Sequence, residues 1–119
     1  MRDYQKLDIW KKAHLFTLQV YKEILPMPIE ERFALTQQIR RATYSIPLNI
    51  VEGSGKHTDK NFVSYLDNAL GSTKEVEYAF LLIFDLAYIS EEVFKIVTKS
   101  VNEIKAMLIA FIKFLRNGK

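Results

Sequence analysis

Gln37-Gln38-Ile39-Arg40-Arg41-Ala42-Thr43-Tyr44-Ser45-Ile46-Pro47-Leu48-Asn49-Ile50-Val51-Glu52-Gly53-Ser54-Gly55-Lys56 is the stretch whose reading decides the fold. Leu35, Ile39, Ala42, Ile46 and Ile50 recur at spacings of three and four, the period of one buried helical face. Pro47 falls inside this pattern. It lacks the amide that would bond the Thr43 carbonyl, and its ring crowds that carbonyl. The apolar period nevertheless continues past it. The spacing therefore predicts a single helix over about residues 30–54, kinked at Pro47 rather than ended there. Gly53-Ser54-Gly55 closes it.

Outward from this helix, the chain reads as three more. Toward the N-terminus, Pro26-Met27-Pro28 separates it from a helix over about residues 7–25, and Glu30 and Glu31 suit the turn that follows the prolines. The first helix carries two apolar stripes. One is Leu7, Trp10, His14, Leu18, Tyr21 and Leu25; the other is Ile9, Ala13, Phe16, Val20 and Ile24. Two stripes imply burial on more than one face. Residues 1–6 read as an arm. Toward the C-terminus, Thr58 is an N-cap for a helix over about residues 58–88, whose stripe is Phe62, Leu66, Ala69, Thr73, Val76, Phe80, Ile83 and Ala87. Gly71-Ser72 interrupts it. Glycine weakens a helix by roughly 1 kcal/mol against alanine, so close approach of another helix is expected there. Ser90 caps a fourth helix over about residues 91–116, with Glu91 and Glu92 in its first turn. Val93, Val97, Val101, Ile104, Leu108, Phe111 and Leu115 form its stripe, and Arg116 and Gly118 close it. No strand pattern or repeat intervenes. The fold class is all-α: a single domain, residues 1–119, built as an antiparallel up-down four-helix bundle.

Composition narrows the function classes. One domain is what 119 residues accommodate, and 49% apolar content supplies its core. The absence of cysteine removes disulfides and thiolate metal sites and fits a cytoplasmic location. No apolar run opens the chain as a signal peptide, and the longest apolar stretches are too short to span a bilayer, so no membrane partner is expected. The net charge of +3 is uneven: residues 1–57 carry nine Lys/Arg against six Asp/Glu, and the remainder carries eight of each. A basic half permits contact with nucleic acid without requiring it.

Arg40 and Arg41 are the sharpest chemical feature. Adjacent helical residues point about 100° apart, so the two guanidiniums face different ways. In the structural reading, an arginine pairs with Glu52, Glu75 or Glu77, while Gln37, Gln38 and Asn49 satisfy polar groups around the proline. In the functional reading, Arg40, Arg41 and Lys56 contact phosphates, with Lys11, Lys12 and Lys60 as outlying basic positions. Gly53-Ser54-Gly55-Lys56 is not a phosphate loop, because its glycines follow a helix rather than a strand. His14 and His57 are the only histidines; with no Glu-x-x-His pair, no metal or cofactor is expected. Glu75 and Glu77 are two residues apart and cannot share a helix face, which argues against paired acid–base work. No serine has a neighbouring histidine in a nucleophile motif, so an enzyme is not expected.

Four blocks carry a resemblance. They are Tyr4-Gln5-Lys6-Leu7-Asp8-Ile9-Trp10-Lys11-Lys12-Ala13, Leu35-Thr36-Gln37-Gln38-Ile39-Arg40-Arg41-Ala42, Ser45-Ile46-Pro47-Leu48-Asn49-Ile50-Val51-Glu52-Gly53, and Ala69-Leu70-Gly71-Ser72 with Glu75 and Glu77. In this order they resemble the four-helix-bundle proteins encoded within intervening sequences of bacterial 23S rRNA genes. Val51 stands where that family often has alanine, and Thr73 where leucine is common. The resemblance implies a bundle that assembles as a ring, a homopentamer. It extends to the accessory protein of diversity-generating retroelements, a basic pentameric barrel that binds nucleic acid and a reverse transcriptase. For the intervening-sequence branch it implies a fold and a genomic location, not an activity. The expectation is thus a non-enzymatic, oligomeric, RNA- or DNA-binding protein. The alternative is a scaffold or adaptor for a protein partner, with Arg40 and Arg41 structural.

Overall fold

Asp3, Thr58 and Ser90 set where the helices begin. The computed structural model describes residues 1–23 and 29–117. The expectations for Ile24, Leu25, Pro26-Met27-Pro28 and Gly118, and those for the Glu30 and Glu31 side chains, lie outside the described residues. The elements are a 3-10 turn (Tyr4–Lys6) and four α-helices: α1 (Asp8–Glu23), α2 (Ile29–Ser54), α3 (Asp59–Asp85) and α4 (Glu91–Asn117). The Thr58 hydroxyl accepts the Asn61 amide at 3.1 Å, and the Ser90 hydroxyl accepts the Val93 amide at 3.1 Å. Both satisfy a first-turn donor that the helix itself leaves without a partner. The α2 helix runs unbroken through Pro47, which is buried.

The N-terminal segment is not a free arm. The Asp3 carboxylate accepts the Gln5 amide, and the Arg2 amide donates to the Ser54 carbonyl at 2.7 Å, tying the chain start to the end of α2. The α3 helix ends three residues before its expected limit. The Tyr88 amide reaches the Ile83 carbonyl and the Ala87 amide reaches the Phe84 carbonyl, with Ala87 left-handed at φ 61°. This is the two-bond termination in which glycine usually takes the left-handed place. Ala87, expected on the core stripe, instead makes the turn and is exposed.

A helix of 27 residues is about 40 Å long, and the domain measures 46 × 22 × 20 Å, so the helices lie along its long axis. Each packs on its chain neighbours and α1 packs on α4. Direction follows from the contacts. Arg2 sits at Ser54 and Tyr21 at Arg40, so α1 and α2 are antiparallel. Lys12 pairs with Glu103 and Leu7 packs near Phe111, so α1 and α4 are antiparallel too. Gln38 meets Glu75 and Ser45 meets Ser72, which sets α2 against α3. The second apolar stripe of α1 forms its core face, from Ile9 to Val20, together with Ile39, Ile46 and Ile50 of α2, Leu66, Phe80 and Ile83 of α3, and Ile104 and Leu108 of α4. Leu18 and Tyr21, of the first stripe, remain exposed.

The glycines reverse the expectation for α3. Gly71 is exposed, and a side chain there would meet nothing within 4 Å, so no helix of this chain approaches it closely. The close approach is at Gly53, inside α2 and buried, where an added Cβ would lie 2.7 Å from the Phe62 ring.

Candidate nucleic-acid interface

Arg40 and Arg41 part as their helical spacing requires. Arg40 turns toward α1, where its guanidinium lies over the Tyr21 ring, 4.9 Å from the centroid. It is half-buried, and its Nε is shielded from solvent without a hydrogen-bond partner among the described residues. Arg41 is exposed and lines a shallow cleft between α2 and α3 with Gln38, Ala42, Ser45, Ser72 and Glu75. Neither arginine forms an ion pair with Glu52, Glu75 or Glu77. Gln38 donates to the Glu75 carboxylate at 2.6 Å, and Lys105 takes Glu77 at 2.7 Å with Lys74 at 3.7 Å. Glu75 and Glu77 accordingly face different neighbours, α2 and α4.

The remaining polar residues of the long motif serve the helix contact. The Ser45 and Ser72 hydroxyls are hydrogen-bonded at 2.8 Å across α2 and α3. The Asn49 amide group donates to the Ser45 carbonyl at 2.8 Å and to its hydroxyl at 3.1 Å, just beside Pro47. The carbonyl that Pro47 leaves without its helical partner is that of Thr43, so this bond braces the Ser45 turn and does not replace the missing one. Gln37 and Glu52 are exposed. The Ser45–Ser72 bond was not foreseen in the sequence; the only hint of it was that both serines lie in the two polar-interrupted helical segments.

The six basic candidates do not form one patch. Lys56 and Lys60 lie at the end of the bundle where α2 gives way to α3, and the Lys56 ammonium stands over the Tyr65 ring at 5.1 Å from the centroid. Arg41 lies fifteen residues earlier in α2, about 22 Å along the axis at 1.5 Å per residue. Lys11 is exposed on α1. Lys12, beside it, is spent in a 3.5 Å ion pair with Glu103. Arg2 and Arg116 are likewise engaged, with Asp59 and Asp67. Arg41, Lys11, Lys56 and Lys60 make no ion pair among the described residues.

A second surface lies on the other flank of α2. Trp10 stacks on His14 at 4.9 Å and meets Tyr4 edge-on at 5.0 Å. Helical spacing continues this line through Leu18 and Tyr21 to Arg40, then through Tyr44 and Leu48 on α2. The last two and Leu15, Leu18 and Tyr21 are all large apolar side chains left exposed.

Among the described residues, Glu77 has a carboxyl whose proton affinity departs from the ordinary value. The hydrogen bond from Lys105 holds its carboxyl below the ordinary value of 4.5, against an opposing push from burial. A lowered carboxyl stabilises the fold above its unfolded-state pKa and loses that contribution as pH falls through the folded one. Glu77 is more than a third exposed, which limits the pair to less than about 1 kcal/mol. Denaturant melts should show Glu77→Gln less stable than the parent at pH 7, with the gap narrowing as pH falls below the ordinary carboxylate value. A gap that stays constant as pH falls would mean that the carboxylate is not its source.

Among the described residues, no helix is long and apolar enough to cross a membrane, and no three His, Asp or Glu side chains could hold a metal ion. The chain is similar in structure to a crystallised protein of unknown function from the S23 ribosomal protein family of Bacteroides thetaiotaomicron VPI-5482. The two share 27% identity at a TM-score of 0.81, over 88% of this chain and 95% of the other. No curated protein sequence matches it. The family model of the 23S rRNA-intervening sequence protein matches residues 5–110, which takes in the four blocks of the resemblance except for Tyr4, and most of every helix. The chain belongs to the 23S rRNA-intervening sequence protein family.

Proposed function

We propose that this chain is a non-enzymatic, cytoplasmic protein that self-associates and binds RNA or other nucleic acid through phosphate contacts. The observation that carries the reading is the set of exposed cations left over after internal pairing. Arg41, Lys11 and Lys60 are exposed, Lys56 is half-exposed, and none has a carboxylate partner among the described residues. A forked guanidinium and mobile ammonium groups match phosphate oxygens. The structural relative bears the name of a ribosomal protein family, which favours RNA as the polyanion. Self-association is supported by the exposed apolar line on α1 and α2, and the family resemblance makes a homopentamer the assembly to look for. Spread around a ring, basic positions that are scattered on one subunit become a repeated track.

The arginines have separate tasks in this reading. Arg41 contacts phosphate, whereas Arg40 braces α1 against α2 through Tyr21. Replacing both at once would mix the two effects. Fluorescent RNA and DNA hairpins titrated at 50 and 200 mM salt should bind more weakly at the higher salt. Arg41→Ala should lower the magnitude of the logarithmic salt slope by about one per subunit engaged, with an unchanged melting temperature. Arg40→Ala should lower the melting temperature instead. Absence of binding at low salt would overturn the proposal and leave a scaffold for a protein partner, with Arg40 and Arg41 both structural.

A further inference from the structure

The α2–α3 cleft holds two opposite charges that do not pair. Arg41 and Glu75 line the same cleft, of about 230 Å³, yet form no ion pair. Gln38 fixes the Glu75 carboxylate from one side, donating to Oε2 at 2.6 Å. The Oε1 atom has no hydrogen-bond partner among the described residues, and a carboxylate can accept about four bonds. Arg41 brings five donors on a rigid fork. The cleft therefore offers an anchored acceptor and a forked donor side by side. Tyr78, one helical turn beyond Glu75, is 64% exposed and presents a ring on the same outer side of α3.

We infer that this cleft binds an unpaired guanine base of a nucleic-acid strand. The inference rests on the nucleic-acid reading above and adds base preference to it. Guanine is the base with two adjacent donors, N1–H and the N2 amino group, and two adjacent acceptors, O6 and N7. Glu75 accepts from the first pair and Arg41 donates to the second, the commonest specific arginine contact to a base. Tyr78 covers the base face, as aromatic side chains do for unstacked nucleotides. Adenine sets a ring acceptor against Glu75, where guanine has N1–H. Uracil offers one donor between two acceptors, and cytosine one amino group beside an acceptor. The guanine must be unpaired, because N1–H and the amino group are consumed in a duplex. Gln38 is a positioning residue for Glu75.

The test uses the full-length protein and nine-nucleotide strands of uridine carrying one central guanosine, adenosine, cytidine or inosine, as RNA and as DNA. The guanosine strand should bind about tenfold tighter than the adenosine, cytidine and all-uridine strands. Inosine, which lacks the amino group, should fall between. Glu75→Gln should bring the guanosine-to-uridine ratio close to one, with the melting temperature unchanged. Free guanosine monophosphate competing as well as the strand would show that the strand backbone adds nothing, and would overturn the claim that the ligand is a base within a strand. Equal binding of all strands by the parent protein would overturn this inference and leave phosphate-driven binding intact. No binding of any strand at low salt would overturn both.

Discussion

Replacing Gly53 by alanine is expected to destabilise the fold by about 2 kcal/mol, whereas the same replacement at Gly71 should stabilise it by about 1 kcal/mol. An added Cβ at Gly53 would stand 2.7 Å from Cδ1 of Phe62 and 2.8 Å from Cβ of Tyr65. The Phe62 ring is buried and packed edge-on against Phe111, with centroids 5.4 Å apart, so it has little room to swing. The Tyr65 atom is bound directly to the α3 backbone and cannot move without the helix. The contact is relieved only by separating α2 from α3, which loosens the Phe62 layer as well. Alanine's better helix propensity returns about 1 kcal/mol of an overpacking cost of about 3 kcal/mol. At Gly71 only the propensity gain operates, because nothing lies within 4 Å. For a chain of this length 1 kcal/mol corresponds to about 4 °C in melting temperature. Gly53→Ala should therefore melt about 8 °C below the parent and Gly71→Ala about 4 °C above it. A destabilised Gly71→Ala would mean that something outside this chain, another copy included, needs the space above that glycine.

The two glycines also show where reading the sequence succeeds and where it stops. Apolar spacing located the four helices and their core faces, because burial imposes a period that survives Pro47 and Gly71. Thr58 and Ser90 were legible as caps because a cap needs a specific side chain at a specific place. Which glycine a neighbouring helix touches was not legible: it depends on the rotation of α2 against α3, and Gly53, read as part of a helix end, lies inside α2. The same holds for Arg40 and Arg41. Their divergence follows from helical geometry, but which one faces Tyr21 and which the cleft is set by where α1 packs. Ala87 was misplaced on the core stripe because a helix end in alanine carries none of the usual glycine signal. Lys12 and Lys11 were indistinguishable as cations until Glu103 of α4 was brought beside one of them.

If the proposed self-association uses the apolar line on α1 and α2, replacing Leu18 by aspartate should leave a folded monomer of 13.9 kDa. In the isolated subunit Leu18 is 45% exposed, so a carboxylate there keeps much of its hydration and costs the fold little. Leu18 sits at the centre of the apolar line that joins Leu15 and Tyr21 on α1 to Tyr44 and Leu48 on α2. If that line is covered by a second copy, the new charge is buried without a partner at every contact. An uncompensated buried charge costs about 3–5 kcal/mol, which corresponds to two to four decades in association constant. Sedimentation at micromolar concentration should give a multiple of 13.9 kDa for the parent and the single subunit mass for the variant, with superimposable helical melts. A parent that already sediments as one subunit would remove the assembly from the proposed function. A variant that keeps the parent's mass would move the interface away from this face. The monomer also separates two sources of nucleic-acid affinity. On one subunit Arg41 lies about 22 Å along the axis from Lys56 and Lys60. If linked copies are what make the contacts strong, the monomer should lose about a hundredfold in affinity, because each later contact is no longer intramolecular. If Arg41 and its cleft suffice alone, the monomer should bind as each isolated site does, with the guanine preference unchanged.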